Sequence, residues 1–130
     1  MSIRIVRLGS PRAKSEGVRL GTVRRPPRGV KKKDFARLGY YDVWLPELAP
    51  SETLRSWIMS TPITAQRWAA FTRRYRSEMR APAAQRLIAL LAALSSGADF
   101  SVGCYCEDES HCHRSVLRAL LDEAGGDVVS

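Results

Sequence analysis

The sequence predicts an α/β domain in which a small, mostly parallel sheet is flanked by helices, with residues 1–130 forming one unit. Three observations carry this expectation. Short β-branched stretches stand near both ends of the chain, helical periodicity fills the middle and the end, and 130 residues suit a single core. At that length roughly two thirds of the unfolded surface is buried on folding. The composition, 45% hydrophobic and 26% charged, is that of a globular chain and excludes disordered and collagen-like classes.

The elements follow in order. Ile3-Arg4-Ile5-Val6-Arg7-Leu8 is short and β-branched and closes on Gly9-Ser10-Pro11, so it reads as a first strand. Residues 18–23 form a second, weakened by Gly21. Tyr41-Asp42-Val43-Trp44-Leu45, stopped by Pro46, is a third, and its aromatic and β-branched mixture suits a largely buried surface. Ser51 is placed to cap a helix carrying Leu54, Trp57 and Ile58. Thr64 caps a longer one whose Trp68, Phe71, Tyr75 and Met79 repeat at helical spacing and read as a core-facing stripe. Pro82 opens a third helix with Leu87, Leu90, Leu91 and Leu94, ending near Ser96-Gly97. Residues 100–106 alternate as a fourth strand. A last helix over 114–124 puts Leu117, Leu120, Leu121 and Ala124 on one face, with Gly125-Gly126 to end it.

Charge is distributed unevenly. The net charge is +8, yet residues 1–39 hold eight Arg and four Lys against Glu16 and Asp34, whereas residues 40–130 hold nine Arg against eleven acids. The excess centres on an exposed basic loop at 24–33, with Arg24, Arg25, Arg28, Lys31, Lys32 and Lys33 around two prolines and a glycine that exclude a regular helix. Such a loop suits a nucleic-acid backbone or an acidic partner. It equally suits a solvated surface, and no helix-turn-helix, zinc-finger or ribonucleoprotein signature accompanies it. The longest apolar run, residues 87–94, is far shorter than the ~20 residues a bilayer requires, so no membrane association is expected. The opening residues carry arginines where a secretory signal needs an apolar block, and a cytoplasmic location is expected.

Three cysteines and both histidines lie together in C-Y-C-E-D-E-S-H-C-H-R-S, residues 104–115. An odd cysteine count without an export signal points to reduced thiols rather than a disulfide framework. The segment begins where the fourth strand ends and finishes where the last helix begins, the usual ligand position in an open α/β sheet. Side chains two apart on a strand share a face, so Cys104 and Cys106 point together and the loop folds Cys112 back toward them.

Three chemistries fit these residues. In the first, Cys106 or Cys112 serves as thiolate, His111 or His113 as proton carrier, and Arg114 with the helix amino end as a clamp for a small anion. His113 and Arg114 would add like charge to that helix end, a conflict an anionic ligand resolves. Alternatively Glu107, Asp108 and Glu109 supply the compensating charge and the loop closes on itself. In the second, Cys104, Cys106, Cys112 and either His111 or His113 bind zinc, although C-x-C departs from the usual C-x₂₋₄-C spacing. The third is a reversible disulfide, with Cys106 and Cys112 the favoured pair across the loop.

The chain also resembles the YeaO-like family, domain of unknown function 488 (DUF488). The likeness rests on Pro27-Arg28-Gly29-Val30, on Asp42-Val43-Trp44-Leu45-Pro46-Glu47-Leu48-Ala49-Pro50-Ser51 running into Leu54-Arg55-Ser56-Trp57, on Trp68, Phe71, Arg74, Tyr75 and Glu78, and on the final Cys112-His113-Arg114. The resemblance implies a compact α/β domain and no particular activity or cofactor. Lys31-Lys32-Lys33 and the Ile63-Thr64 region depart from the family pattern. Arg74 and Glu78, four apart on one helix, have the spacing of an ion pair that fastens it. Alternatively, Arg28 and Arg55 converge on the cysteine cluster and complete an anion pocket.

Overall fold

The computed structural model describes residues 2–129. Four strands, β1 (Ile3–Arg7), β2 (Val18–Gly21), β3 (Val43–Trp44) and β4 (Phe100–Cys104), form one sheet in the order β1-β4-β2-β3. Every pairing is parallel, with Arg7 opposite Cys104 and Gly21 opposite Gly103. Four helices, α1 (Glu52–Met59), α2 (Ala65–Glu78), α3 (Pro82–Leu94) and α4 (His113–Glu123), lie between β3 and β4 and after β4. The predicted α/β class is what the chain adopts.

β4 and β2 are the interior strands, and all five residues of β4 are buried. Gly103 suits that position, since a Cβ there would stand 2.8 Å from the Val6 carbonyl oxygen. Phe100 and Val102 join Ile3 and Leu20 in one core with Leu54, Ile58, Phe71, Tyr75, Ile88, Leu91, Leu117 and Leu121, so all four helices contribute to it. At the opposite parity, Ser101 and Arg19 bind the buried Glu16 carboxylate. Because the strands run in parallel, the ends of β1, β2 and β4 come out at one edge. There Leu8, Val23, Tyr41, Cys104 and Cys112 make a second, smaller core.

Local signals placed the helices well. Ser51 Oγ accepts from the Leu54 N–H and Thr64 Oγ1 from the Arg67 N–H, the capping bonds their positions predicted. Gly125 takes φ +91° and lets the chain turn back after α4, as expected of a glycine at a helix end.

Several expectations are corrected. The third strand is two residues rather than five, and Val43 and Trp44 are exposed at the edge of the sheet, while Tyr41 is the buried residue of that stretch. On α3 the core takes Ala84, Ile88, Leu91 and Ala92, leaving Leu90 and Leu94 exposed, because after Gln85 and Arg86 the helix is apolar on every side and its last two turns have no polar residue to mark the outer face. The fourth strand ends at Cys104, two residues early. Arg74 and Glu78 do not pair: Glu78 accepts from the Ser51 N–H, and Arg74 stacks 4.4 Å from the Trp57 ring centroid. No described helix is long and apolar enough to cross a membrane.

Candidate functional site

The site forms at the carboxyl edge of the sheet. β4 delivers Cys104, the chain continues through Tyr105 and Cys106, a 3-10 turn (Glu109–His111) reverses it, and Cys112 occupies the residue before α4. The strand alternation works as predicted, with the Cys104 and Cys106 sulfurs 3.7 Å apart. The Cys112 sulfur returns to the same place, so the three Sγ atoms lie within 4.8 Å of one another. All three cysteines are free thiols, and the anticipated Cys106–Cys112 disulfide is not formed.

Burial distinguishes the three. Cys104 and Cys112 are buried, whereas Cys106 is exposed. Hydrogen bonding with Cys106 and Cys112, together with burial, pushes the Cys104 thiol up. Contact with Cys104 pulls Cys112 down, but Cys106 and burial outweigh it and the net shift is upward. The Cys106 sulfur receives bonds from Cys104 and Cys112 with Arg114 nearby, which hold it well below the ordinary thiol range. The lowered thiol is thus the one that water also reaches.

His113 is buried and neutral. Thr22 Oγ1 donates to the Gly103 carbonyl oxygen at 2.9 Å, and His113 Nε2 lies 2.7 Å from the Thr22 carbonyl oxygen, so the ring proton sits on Nε2 and donates to that oxygen. The other nitrogen, Nδ1, faces the Cys112 sulfur at 3.8 Å as an acceptor. Burial pushes His113 down to about 4 despite the Thr22 bond. The expected clash of like charges at the start of α4 is thus absent. His111 is exposed, beside the Asp108 carboxylate at 3.6 Å.

The aromatic stripe of α2 runs under this loop. Trp68 stacks on Phe71 and Phe71 on Tyr75, and the two histidines rest on its ends, His111 5.4 Å from Trp68 and His113 5.5 Å from Tyr75 between ring centroids. Tyr75 also donates from its hydroxyl to the Leu48 carbonyl at 2.8 Å. The stripe is core, as its spacing predicts, and it supports both imidazoles as well.

Arg114 is 3% exposed. One of its terminal nitrogens donates to the Cys106 carbonyl oxygen at 2.6 Å, and its Nε has no hydrogen-bond partner among the described residues. The loop acids are engaged elsewhere: Glu107 with Arg7 at 3.5 Å, Glu109 with Arg118 at 2.9 Å, and Asp108 with Ser110 and His111. Among the described residues none of them pairs with Arg114, yet the loop does close on itself in part, through Asp108 with Ser110 and His111 and through the Arg114 bond to the Cys106 carbonyl oxygen.

Above the sulfurs opens a cleft of about 1150 Å³. Cys104, Cys106, His111, Cys112 and His113 line it, as do Arg28 and Arg55, so these seven anticipated residues meet in one place. Arg114 does not line it and instead holds the loop from behind. Arg24 and Arg25, which the sequence placed in the basic loop without linking them to the cysteines, join the rim. Ile58, Met59, Ile63 and Phe71 give it an apolar wall. The basic loop reaches the site because it is fastened there: Arg24 donates to the carbonyls of Ala49 and Pro50, and the Tyr105 hydroxyl donates to the Arg25 carbonyl at 2.9 Å. Thr22, which fixes the His113 tautomer, had no sequence signal, being a lone threonine 91 residues away.

No curated protein and no solved structure matches the chain. A family model described as the active DUF488-N3 subclade, DUF488-N3a, matches residues 3–125, nearly the whole sequence, and the chain therefore belongs to the DUF488 family.

Proposed function

We propose that the protein binds a small anionic ligand with an apolar body in this cleft and reacts with it through the Cys106 sulfur. The observation that carries the reading is the placement of Cys106, the exposed member of three converging thiols, on a cleft rimmed by Arg24, Arg25, Arg28 and Arg55. Those four cations face only Glu52 and Asp108 among the acids of the lining. Arg25 and Arg55 share Glu52, at 3.3 and 3.8 Å, while Arg28 has no carboxylate within 4.0 Å among the described residues. The apolar wall suits the body of the ligand, and the rim suits its charge.

The chemistry is a displacement. The Cys106 sulfur supplies the electron pair of the new bond, and the leaving group departs with the pair of the bond that breaks. His111, on the cleft wall, is the imidazole placed to return a proton to that group. His113 orients Cys112 instead, since its Nε2 proton is committed to Thr22.

Alkylation with two reagents of different charge tests the reading. Cys106 is expected to react first, to prefer iodoacetate over iodoacetamide relative to free cysteine, and to be protected by pyrophosphate. Arg28→Ala and Arg55→Ala should erode both the preference and the protection. Reaction no faster than free cysteine, with no effect of pyrophosphate, would overturn it.

A second reading keeps the anticipated contact of the 24–33 loop with a nucleic acid or an acidic partner. One observation favours it: Lys31, Lys32 and Lys33 are all exposed, and among the described residues none has a carboxylate within 4.0 Å. Retention on a polyanion column that falls steeply with salt, and drops when the three lysines become alanine, would support this reading. Unchanged retention in the triple variant would sink it.

A further inference from the structure

The anionic-ligand reading uses one sulfur and leaves two unexplained. Cys104 and Cys112 are buried, yet both turn their sulfurs toward Cys106 instead of dispersing into the surrounding apolar core. A buried free cysteine normally behaves as a small hydrophobe with no need of sulfur neighbours. Three sulfurs within 4.8 Å of one another form a donor set.

The dimensions match a particular class of ion. Zinc–sulfur bonds of about 2.3 Å at tetrahedral angles place the sulfurs about 3.8 Å apart. Cys104 and Cys106 stand at 3.7 Å already, and the remaining separations need to close by no more than about 1 Å. The donor set is all sulfur, which selects a soft or borderline ion over magnesium or calcium. A fourth protein ligand is not supplied in the same way. His113 offers Nδ1 to Cys112 while its Nε2 is held by Thr22, and the group within 4.8 Å comprises the three sulfurs alone.

Charge is compatible with such an ion. Arg114 is buried with no carboxylate within 4.0 Å among the described residues and with an unpartnered Nε, although it grips the very loop that carries Cys106. A buried cation without a counter-charge is strongly unfavourable. A divalent ion held by three thiolates carries one net negative charge, the same charge that a metal-free Cys106 thiolate would set beside Arg114, so binding the ion keeps that balance.

We propose that Cys104, Cys106 and Cys112 form a three-thiolate site for zinc or a similar thiophilic ion, with the fourth coordination position open to the arginine-rimmed cleft. The three thiols bind as thiolates and release their protons to solvent, so the ion's charge and the ligands' charge sum to minus one. An open position is the arrangement of a site that takes water or an exogenous donor. The proposal uses the same cleft and the same Cys106 as the anionic-ligand reading, which describes the metal-free thiol, and does not rest on it.

The test uses the full chain, reduced and stripped of metal, titrated with Co(II) and then with Zn(II). One equivalent of Co(II) should bind with the absorption of sulfur-to-metal charge transfer and of tetrahedral cobalt, and Zn(II) should displace it. Azide or a small thiol should then shift the cobalt spectrum by entering the open position. Cys106→Ser, at an exposed position where the fold is not at stake, should weaken Zn(II) binding beyond the ~10–100-fold loss that follows removal of an outer partner. No sulfur-to-cobalt band, or Zn(II) affinity unchanged in Cys106→Ser, overturns the site. A cobalt spectrum indifferent to azide and thiols, with binding lost equally in a folded His113→Gln, overturns the open position by making histidine the fourth ligand. Either failure leaves the alkylation results with iodoacetate and pyrophosphate standing, so the two readings fall separately.

Discussion

Replacing Glu16 with glutamine tests the electrostatics beneath the sheet directly. Glu16 is 2% exposed and faces an Arg19 that is wholly buried. Its Oε2 accepts from Arg19 Nε at 2.7 Å and from Ser101 Oγ at 2.7 Å, and its Oε1 accepts from an Arg19 terminal nitrogen at 2.9 Å and from the Ala13 N–H at 3.3 Å. Burial alone would raise this carboxyl, but the bonds from Arg19, Ser101 and Ala13 prevail and bring it from 4.5 down to about 2. A depression of that size is worth about 3 kcal/mol at neutral pH, in line with the ~3–5 kcal/mol that follows loss of one partner of a buried pair. The folded-state value lies below the unfolded one, so this stability is fully present above pH 4.5 and disappears as the pH falls through about 2.

Urea denaturation of wild type and Glu16→Gln over a pH series reads the effect. With a slope on the order of 2 kcal/mol per molar, the midpoint at pH 7 should drop by about 1.5 M. The gap between the two proteins should narrow steadily below pH 4.5. A loss under 1 kcal/mol at pH 7, or a gap that stays constant down to pH 2, would refute the reasoning.

Other substitutions probe the elements that carry the site. Gly21→Ala puts a Cβ 2.3 Å from the buried Tyr41 ring and should lower stability by about 1–3 kcal/mol in chemical denaturation, with the largest near-UV dichroism change from that ring. Ser51→Ala removes both the α1 cap and a partner of Glu78, and a loss of about 1–2 kcal/mol is expected by the same measurement. Tyr105→Phe frees the Arg25 carbonyl, so limited trypsin digestion should cut faster at Arg28 and Lys31 while global stability changes by less than about 1.5 kcal/mol.

How much of this was legible in advance depends on the range of the interactions involved. Ser51 and Thr64 were readable as caps because each bonds an N–H three residues on. The α2 stripe was readable because core burial repeats at the helical period. Edge and interior strands, in contrast, look alike locally, and Val43-Trp44 was assigned to the interior when only the sheet order makes it an edge. Arg74 and Glu78 had the spacing of a pair, yet each found a better partner on another element, Trp57 and Ser51. The pairing of Cys104 with Cys106 followed from strand alternation, whereas the arrival of the 24–33 arginines over those sulfurs required Arg24 and Tyr105 to bridge parts of the chain about 25 and 80 residues apart.

The sequence alone therefore determined the α/β class, the helices and their starts, and the address of the cysteine-rich turn between β4 and α4. Periodicity and capping act over a few residues, and those are written directly into neighbouring positions. Tertiary structure decided which thiol faces water, that burial holds His113 low, and that Arg114 is buried with no carboxylate partner among the described residues. These properties depend on desolvation and on charges contributed by atoms distant along the chain, which come within a few ångströms of one another only once the sheet has closed.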